Sequence, residues 1–232
     1  MSSINSDARQ AGVLYLLFAI LAVVDEFLFP RFTVAGDAAA TARNIMAGEL
    51  TYRIRILTGF VTLLLFIAVV VSLYNLFKEV DRKQSVWMLV LVLTGVAVSL
   101  ANLILRFAPL IFLNDTGWLS AFSKPQLEAL ALTALRLNGS GATLVTIFWG
   151  LWLFPFGALV IKSRYFPRVL GILLFIAGAG YVIISVTAIA LPAYRHAVTQ
   201  VMMPLCFGEL PIIFWLAIMG AKAPEVSTGA RA

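Results

Sequence analysis

Ionisable side chains interrupt several apolar runs of this sequence. Asp25 and Glu26 lie near the end of the first run, and Glu209 lies inside the last one, between Gly208 and Leu210. Because an ionised group inside a membrane costs free energy, each of these residues is a candidate for function. Buried carboxyl groups can act as general acids or bases, or can neutralise nearby cations around a polar ligand.

Arginine residues stand at the ends of two further apolar runs. Arg53 and Arg55 precede the second run, and Arg106 closes the third, with Asn102 one turn earlier. We predict a polar cavity in the outer half of the molecule, meaning the half away from both chain termini. This cavity would bind a polar or anionic lipid headgroup. The alternative is a structural ion-pair network in which arginine side chains reach the headgroup region. The candidate cluster comprises Asp25, Glu26, Arg53, Arg55, Asn102, Arg106, Arg195, His196 and Glu209.

Composition places these residues in a membrane protein. Of the 232 residues, 62% are hydrophobic and 12% are charged, whereas soluble domains carry about 25% charged residues. The mean hydropathy is +0.99. The net charge of +6 comes from short basic segments between apolar runs, which is typical of membrane topology signals. We therefore expect no nucleic-acid partner.

The cysteine and histidine content limits the possible chemistry. Cys206 and His196 are the single residues of their types, so an intramolecular disulfide and a multi-histidine metal or haem site are excluded. The nucleotide-binding and hydrolase motifs G-x-G-x-x-G, P-loop, H-E-x-x-H and G-x-S-x-G are missing from the sequence. We expect no metal and no cofactor.

Six apolar stretches are long enough to span a bilayer as helices, which needs about 20 residues each. We predict an all-α, polytopic membrane helix bundle over residues 11–220, after a polar segment 1–10 and before a flexible tail 221–232. The predicted spans are Ala11 to Phe29, Ile56 to Phe77, Val86 to Phe107, Ala142 to Ile161, Val169 to Leu191 and Val201 to Met219.

Two of the connections are long, and each is predicted to carry a short helix. In the first, Asp37 can cap a helix that begins at Ala38. In the second, Ser123 precedes Lys124-Pro125, a typical helix start, and Asn138-Gly139 is a typical stop. We predict that this second helix lies on the membrane surface or covers the end of the bundle.

Loop charges predict the orientation. The short loops that carry Lys78, Arg82 and Lys83, and Lys162, Arg164 and Arg168, lie on the same side as both termini. Compact basic loops favour the cytoplasmic side. We therefore predict a bacterial cytoplasmic (inner) membrane protein with both termini in the cytoplasm.

Aromatic residues, glycines and prolines within the spans favour packing roles. Trp149 and Trp152 lie near the middle of the fourth span and are predicted to pack, although contact with an apolar ligand is an alternative. Pro204 and Pro211 flank Glu209 and predict a kink, which is either tolerated or part of a site. The glycines predicted to allow close helix contact are Gly171, Gly178 and Gly180.

Two segments resemble a known family. They are Gly36-Asp37-Ala38-Ala39-Ala40-Thr41-Ala42 and Phe166-Pro167-Arg168-Val169-Leu170-Gly171. With Asp25-Glu26-Phe27 and Arg53-Ile54-Arg55, they are similar to bacterial multi-span membrane proteins catalogued only as a domain of unknown function. The resemblance covers about residues 11–221. It implies a bacterial cytoplasmic membrane and six helices, and it implies no activity.

Three functions remain open from the residues alone. The first is a non-catalytic protein that binds membrane lipids or a membrane partner, including a second copy of itself. The second is an intramembrane enzyme acting on a lipid or isoprenoid, with Glu209, Asp25 or Glu26 as acid or base. The third is a small transporter coupled to protons through Glu209, although no inverted repeat is visible.

Overall fold

Helices form almost the whole chain in the structure, a computed structural model that describes residues 2–114 and 117–222. No described residue lies in a strand. The α-helices within these ranges are α1 (Ser2–Val23), α2 (Ala38–Ala47), α3 (Glu49–Phe77), α4 (Arg82–Leu113), α5 (Lys124–Leu151), α6 (Leu153–Ser163), α7 (Arg168–Ala190), α8 (Arg195–Cys206) and α9 (Leu210–Phe214).

Within residues 2–114 and 117–222, six helical stretches are long and apolar enough to cross a membrane, as predicted. A five-residue π-helix, Val24–Leu28, ends the first, and the 3-10 turn Phe207–Glu209 divides the last. An even number of crossings places residues 2 and 222 on the same side, and we call the opposite side the distal end. The six stretches are Ile4–Leu28, Glu49–Phe77, Arg82–Leu113, Lys124–Ser163, Arg168–Ala190 and Pro192–Met219.

The spans form a ring in chain order. Each span packs against the next, and the sixth returns to the first through α9 and the π-helix Trp215–Met219. The distal part of the sixth span, α8, packs instead against α7. The ring is therefore closed by α1 and the sixth span in the half that holds the termini.

Aromatic side chains fill the centre of the ring. Trp152 is 1% exposed, its ring stacks on Phe156 at 5.2 Å, and its edge meets Phe66 at 5.4 Å. Tyr15 packs on the same indole at 6.0 Å. The packing role predicted for Trp152 is confirmed, since its ring is buried among other aromatic rings. Burying such rings stabilises the bundle core.

Glycine pairs bring α7 into close contact with the fourth span. A Cβ atom added at Gly178 would lie 2.8 Å from the Gly150 carbonyl oxygen, and one at Gly171 would lie 2.7 Å from the Gly157 carbonyl oxygen. Gly180 approaches α8 of the sixth span instead, where an added Cβ would lie 3.2 Å from Cys206 Sγ. The predicted close contacts at Gly171, Gly178 and Gly180 are confirmed.

Both predicted helix starts in the long connections are confirmed. The Asp37 side chain accepts a hydrogen bond from the Ala40 backbone N–H at 2.8 Å. Ser123 and Gln126 form a capping box at the start of α5. These caps satisfy backbone N–H groups that a helix N-terminus leaves free.

Two predicted helix ends are wrong. The helix predicted to stop at Asn138-Gly139 and to lie on the surface continues through both residues as α5 and forms the first part of the fourth span. Gly139 has a negative φ, as expected inside a helix. The third span does not stop before Pro109, because α4 runs through it to Leu113. The Tyr52 hydroxyl donates to the Arg106 carbonyl at 2.8 Å, a hydrogen bond close to the point where proline weakens the helix ladder.

The helical part of the chain begins before residue 11, where the predicted bundle starts. The first helix begins at Ser2, inside the segment predicted as a separate polar extension. Residues 223–232, most of the tail predicted to be flexible, lie outside the described residues.

An ion pair ties together the two basic loops on the side of the termini. Lys162 Nζ lies 2.6 Å from Asp81 Oδ2. This hydrogen bond, together with one from the Gln84 backbone N–H, lowers the pKa of Asp81 below its ordinary value of 3.8. The pair therefore contributes its full stability above the ordinary pKa of 3.8. This contribution is lost as the pH falls through the lowered pKa of the folded protein.

We expect this pair to give a measurable acid dependence. Lowering the pH from about 5 to about 3 should reduce the Tm of the wild-type protein more than that of Lys162→Gln, because the variant lacks the interaction that acid removes. Thermal unfolding in detergent at a series of pH values measures both slopes. Equal slopes would contradict a role of the pair in stability.

Candidate functional site in the distal half of the bundle

A single carboxylate lies between two guanidinium groups near the distal end. Asp25, in the π-helix that ends the first span, has Oδ1 3.5 Å from Arg55 Nε of α3 and Oδ2 3.4 Å from Arg106 Nη1 of α4. The side chains are 18%, 23% and 27% exposed, respectively. Their partial burial strengthens the attraction compared with a pair in water.

Two asparagines fix the position of Arg106. Asn102 Nδ2 donates to the Asn138 carbonyl at 2.9 Å, and Asn138 Nδ2 donates to the Asn102 carbonyl at 3.0 Å. Asn138 Oδ1 accepts from Arg106 Nε at 3.3 Å. A Cβ at Gly141 would overlap the Asn102 amide, so glycine at this position leaves room for the Asn102 side chain. Asn138 of α5 thus holds the Arg106 guanidinium, and its reciprocal hydrogen bonds with Asn102 hold Asn138.

Two cavities meet at Arg106 and Asn138. The larger, about 310 Å³, lies between α1, α3, α4 and α5. The smaller, about 170 Å³, lies toward the segment after the first span, next to Phe32 and Arg55. Polar residues line the larger cavity near Asp25, and Phe18 and Trp149 line it on the side of the aromatic core. The site is therefore amphipathic.

The charge of the site favours an anionic ligand. Arg55 and Arg106 share one carboxylate, and no other described acid lies within ion-pair distance of either. Asp25 Oδ1 and Arg55 Nε are both buried and have no hydrogen-bond partner among the described residues. The two atoms face each other at 3.5 Å without forming a hydrogen bond, and buried polar atoms are normally hydrogen-bonded. Arg55 Nε is therefore an unused donor in a site where two guanidiniums face one carboxylate.

The remaining members of the predicted cluster do not join this site. Arg53 faces outward and pairs with Glu49 at 2.6 Å. Glu26, Arg195 and His196 are exposed and form no described ion pair or side-chain hydrogen bond. Of the nine predicted residues, the structure brings together Asp25, Arg55, Asn102 and Arg106.

Glu209 occupies a separate place in the bundle. Its carboxylate accepts a hydrogen bond from the Tyr15 hydroxyl of α1, and Tyr181 of α7 faces the same group. Tyr15 lies ten residues before Asp25, which is about 15 Å along a helix. Glu209 therefore links the first, fifth and sixth spans at the 3-10 turn Phe207–Glu209 and does not reach the distal cluster.

Residues that the sequence reading did not select complete both sites. Asn138 is predicted as a helix stop, and Tyr15 and Tyr181 are not among the predicted site residues. Small residues at positions 139, 141 and 142, with no proline between Gln126 and Phe154, are the signal that could have shown a continuous, closely packed α5. No comparable signal marks the two tyrosines.

Among the described residues, no group of three or more histidine, cysteine or acidic side chains could hold a metal ion. The observed chemistry is a partly buried cationic site with amide hydrogen-bond groups. Such a site binds carboxylates or phosphates, for which guanidinium geometry is well suited.

The fold and the site define a multi-pass helical membrane protein. The chain belongs to DUF4386, a domain of unknown function, whose match covers residues 10–220. An uncharacterized protein of Archaeoglobus fulgidus is 42% identical over 80 residues, which are 34% of this chain and 46% of the relative. The match thus spans less than half the length of that relative. No solved structure matches the chain.

Proposed function

We propose that this protein binds an anionic membrane lipid through its headgroup at Arg55 and Arg106. The observation that carries the proposal is the single carboxylate, Asp25, shared by two guanidiniums beside a cavity at membrane depth. The guanidiniums of Arg55 and Arg106, whose charge Asp25 neutralises only in part, can donate bidentate hydrogen bonds to a phosphate. Asn138, which is held by Asn102, accepts a hydrogen bond from Arg106, and this positioning reduces the entropy lost on binding.

Binding accounts for the site better than acid–base chemistry does. A general base needs an oxygen that is free to accept a proton from a substrate, whereas both carboxylate oxygens of Asp25 already lie against guanidinium groups. Glu209, the carboxylate proposed for proton coupling, lies in another part of the bundle. A membrane partner or a second copy of the chain remains an alternative ligand for the same charge.

We propose further that the protein resides in a bacterial cytoplasmic membrane with both termini in the cytoplasm. The Asp81–Lys162 pair joins the two compact basic loops on the side of the termini, which supports their position on one face. Compact basic loops favour the cytoplasm. In this orientation the cluster of Asp25, Arg55 and Arg106 takes its lipid from the outer leaflet.

Native mass spectrometry with defined lipids tests this function. We expect phosphatidylglycerol to bind about tenfold or more tightly than phosphatidylcholine, because the choline cation of the latter is repelled by the two guanidiniums. Arg106→Gln should lose most of that preference, because the guanidinium charge is lost together with a hydrogen bond to a charged group that contributes about 1.5–3 kcal/mol. Arg53→Gln is the matched control, since Arg53 lies outside the site. Equal binding of both lipids by the wild-type protein would overturn the proposal.

A further inference from the structure

The larger cavity has an opening toward the membrane rather than toward water. Ala22 of α1 and Ala142 of α5 both line it, and both are exposed. They lie within spanning stretches, so the surface next to them faces lipid. Small side chains at both positions leave the space between the two helices open.

Helix packing leaves this opening uncovered. Among the described helices, α1 and α5 are not one of the closely packed pairs, although both line the cavity. The sixth span meets α1 on the side of the termini, through α9 and residues Trp215–Met219, whereas α8 packs against α7. In the distal half, the ring is thus open beside α1.

The size of the cavity limits what can enter. Its volume of about 310 Å³ is at the low end of the range, about 300–1,000 Å³, that holds drug-sized ligands. A phosphate-containing headgroup fits this volume, and two acyl chains do not. The chains of a bound phospholipid therefore need a path out of the cavity into the bilayer.

We propose that an anionic phospholipid enters sideways from the bilayer, between Ala22 and Ala142, and keeps its acyl chains in the membrane while its headgroup lies at Arg106. This inference rests on the proposed function and adds the route by which the lipid enters and the position of its acyl chains. Phe18 and Trp149 line the cavity on its apolar side and contact the first methylenes. A soluble phosphate compound shares the headgroup chemistry and would arrive instead from the water side, past the smaller cavity.

Blocking the opening separates these routes. In Ala22→Phe and Ala142→Phe the aromatic ring fills the space between the helices and leaves the charged cluster unchanged. We expect both variants to bind dioleoyl-phosphatidylglycerol about tenfold or more weakly in native mass spectrometry, while glycerol 1-phosphate raises their Tm as it does that of the wild type. Ala97→Phe is the control, because Ala97 is exposed on α4 outside both cavities.

The outcomes distinguish the route from the function. Unchanged phosphatidylglycerol binding in both blocked variants, with binding lost in Arg106→Gln, would overturn sideways entry and leave the proposed function standing. Binding that is insensitive to Arg106→Gln would overturn the function and the route together. Loss of lipid in Ala97→Phe as well would show that added bulk anywhere in the spans weakens binding, and would also overturn the route.

Discussion

Asp25→Asn is expected to destabilise the protein by about 2–3 kcal/mol. The substitution keeps the shape of the side chain and leaves Arg55 and Arg106 without their shared carboxylate. Removing one partner of a buried pair costs about 3–5 kcal/mol, and the partial exposure of these side chains reduces that cost. Unfolding by SDS in mixed micelles measures the loss.

Anionic lipid should restore part of this stability. If a phosphate binds between the guanidiniums, phosphatidylglycerol should stabilise Asp25→Asn more than it stabilises the wild type, because the variant has a greater excess of positive charge. Phosphatidylcholine should not have this effect. Glu26→Gln, a neighbouring exposed carboxylate, serves as the control and should change stability by at most about 0.5 kcal/mol. Equal stability of Asp25→Asn and Glu26→Gln would contradict the ion-pair account.

Tyr15→Phe is expected to destabilise the bundle by about 1–3 kcal/mol, the cost of leaving a buried polar group without its partner. Tyr15 is fully buried, and its hydroxyl donates a hydrogen bond to Glu209 at the 3-10 turn that divides the sixth span. Glu209→Gln should cost less, because a glutamine oxygen can still accept from the tyrosine. The same SDS titration in mixed micelles measures both variants.

Tyr194→Phe is the matched control for Tyr15→Phe, since Tyr194 is 63% exposed and should tolerate the loss of its hydroxyl. Because Glu209 lies away from the distal cavity, Glu209→Gln should also retain phosphatidylglycerol binding. A loss of lipid in Glu209→Gln similar to that in Arg106→Gln would contradict the separation of the two sites.

Most of the fold is predictable from the sequence because lipid imposes simple rules. Continuous apolar stretches of sufficient length must be helices, since only helices satisfy their own backbone in a bilayer. Caps such as Asp37 and Ser123 act locally and were predicted correctly. The ends at Asn138-Gly139 and Pro109 were wrong because tertiary contacts to Asn102 and from Tyr52 support helices that local signals would stop.

The site is less predictable, since it depends on helix rotation. A helix that is apolar on all sides gives no period from which its inward face can be read. Asp25 and Glu26 are adjacent, yet Asp25 meets the arginines while Glu26 is exposed. Arg53 and Arg55 differ in the same way. The nine candidate residues can be chosen from their type and from their position along the predicted spans. Which of them come into contact is decided by helix packing.

Photo-cross-linking in proteoliposomes tests the central claim most directly. A phosphatidylglycerol analogue with a diazirine on its headgroup should label residues around the cavity on α4 and α5, near Arg106 and Asn138, and unmodified phosphatidylglycerol should compete. Peptide mass spectrometry locates the adducts. Labelling at this position that disappears in Arg106→Gln and persists in Arg53→Gln is the predicted result. Labels spread over the lipid-facing surface of α8, unchanged in Arg106→Gln, would contradict a headgroup site between Arg55 and Arg106.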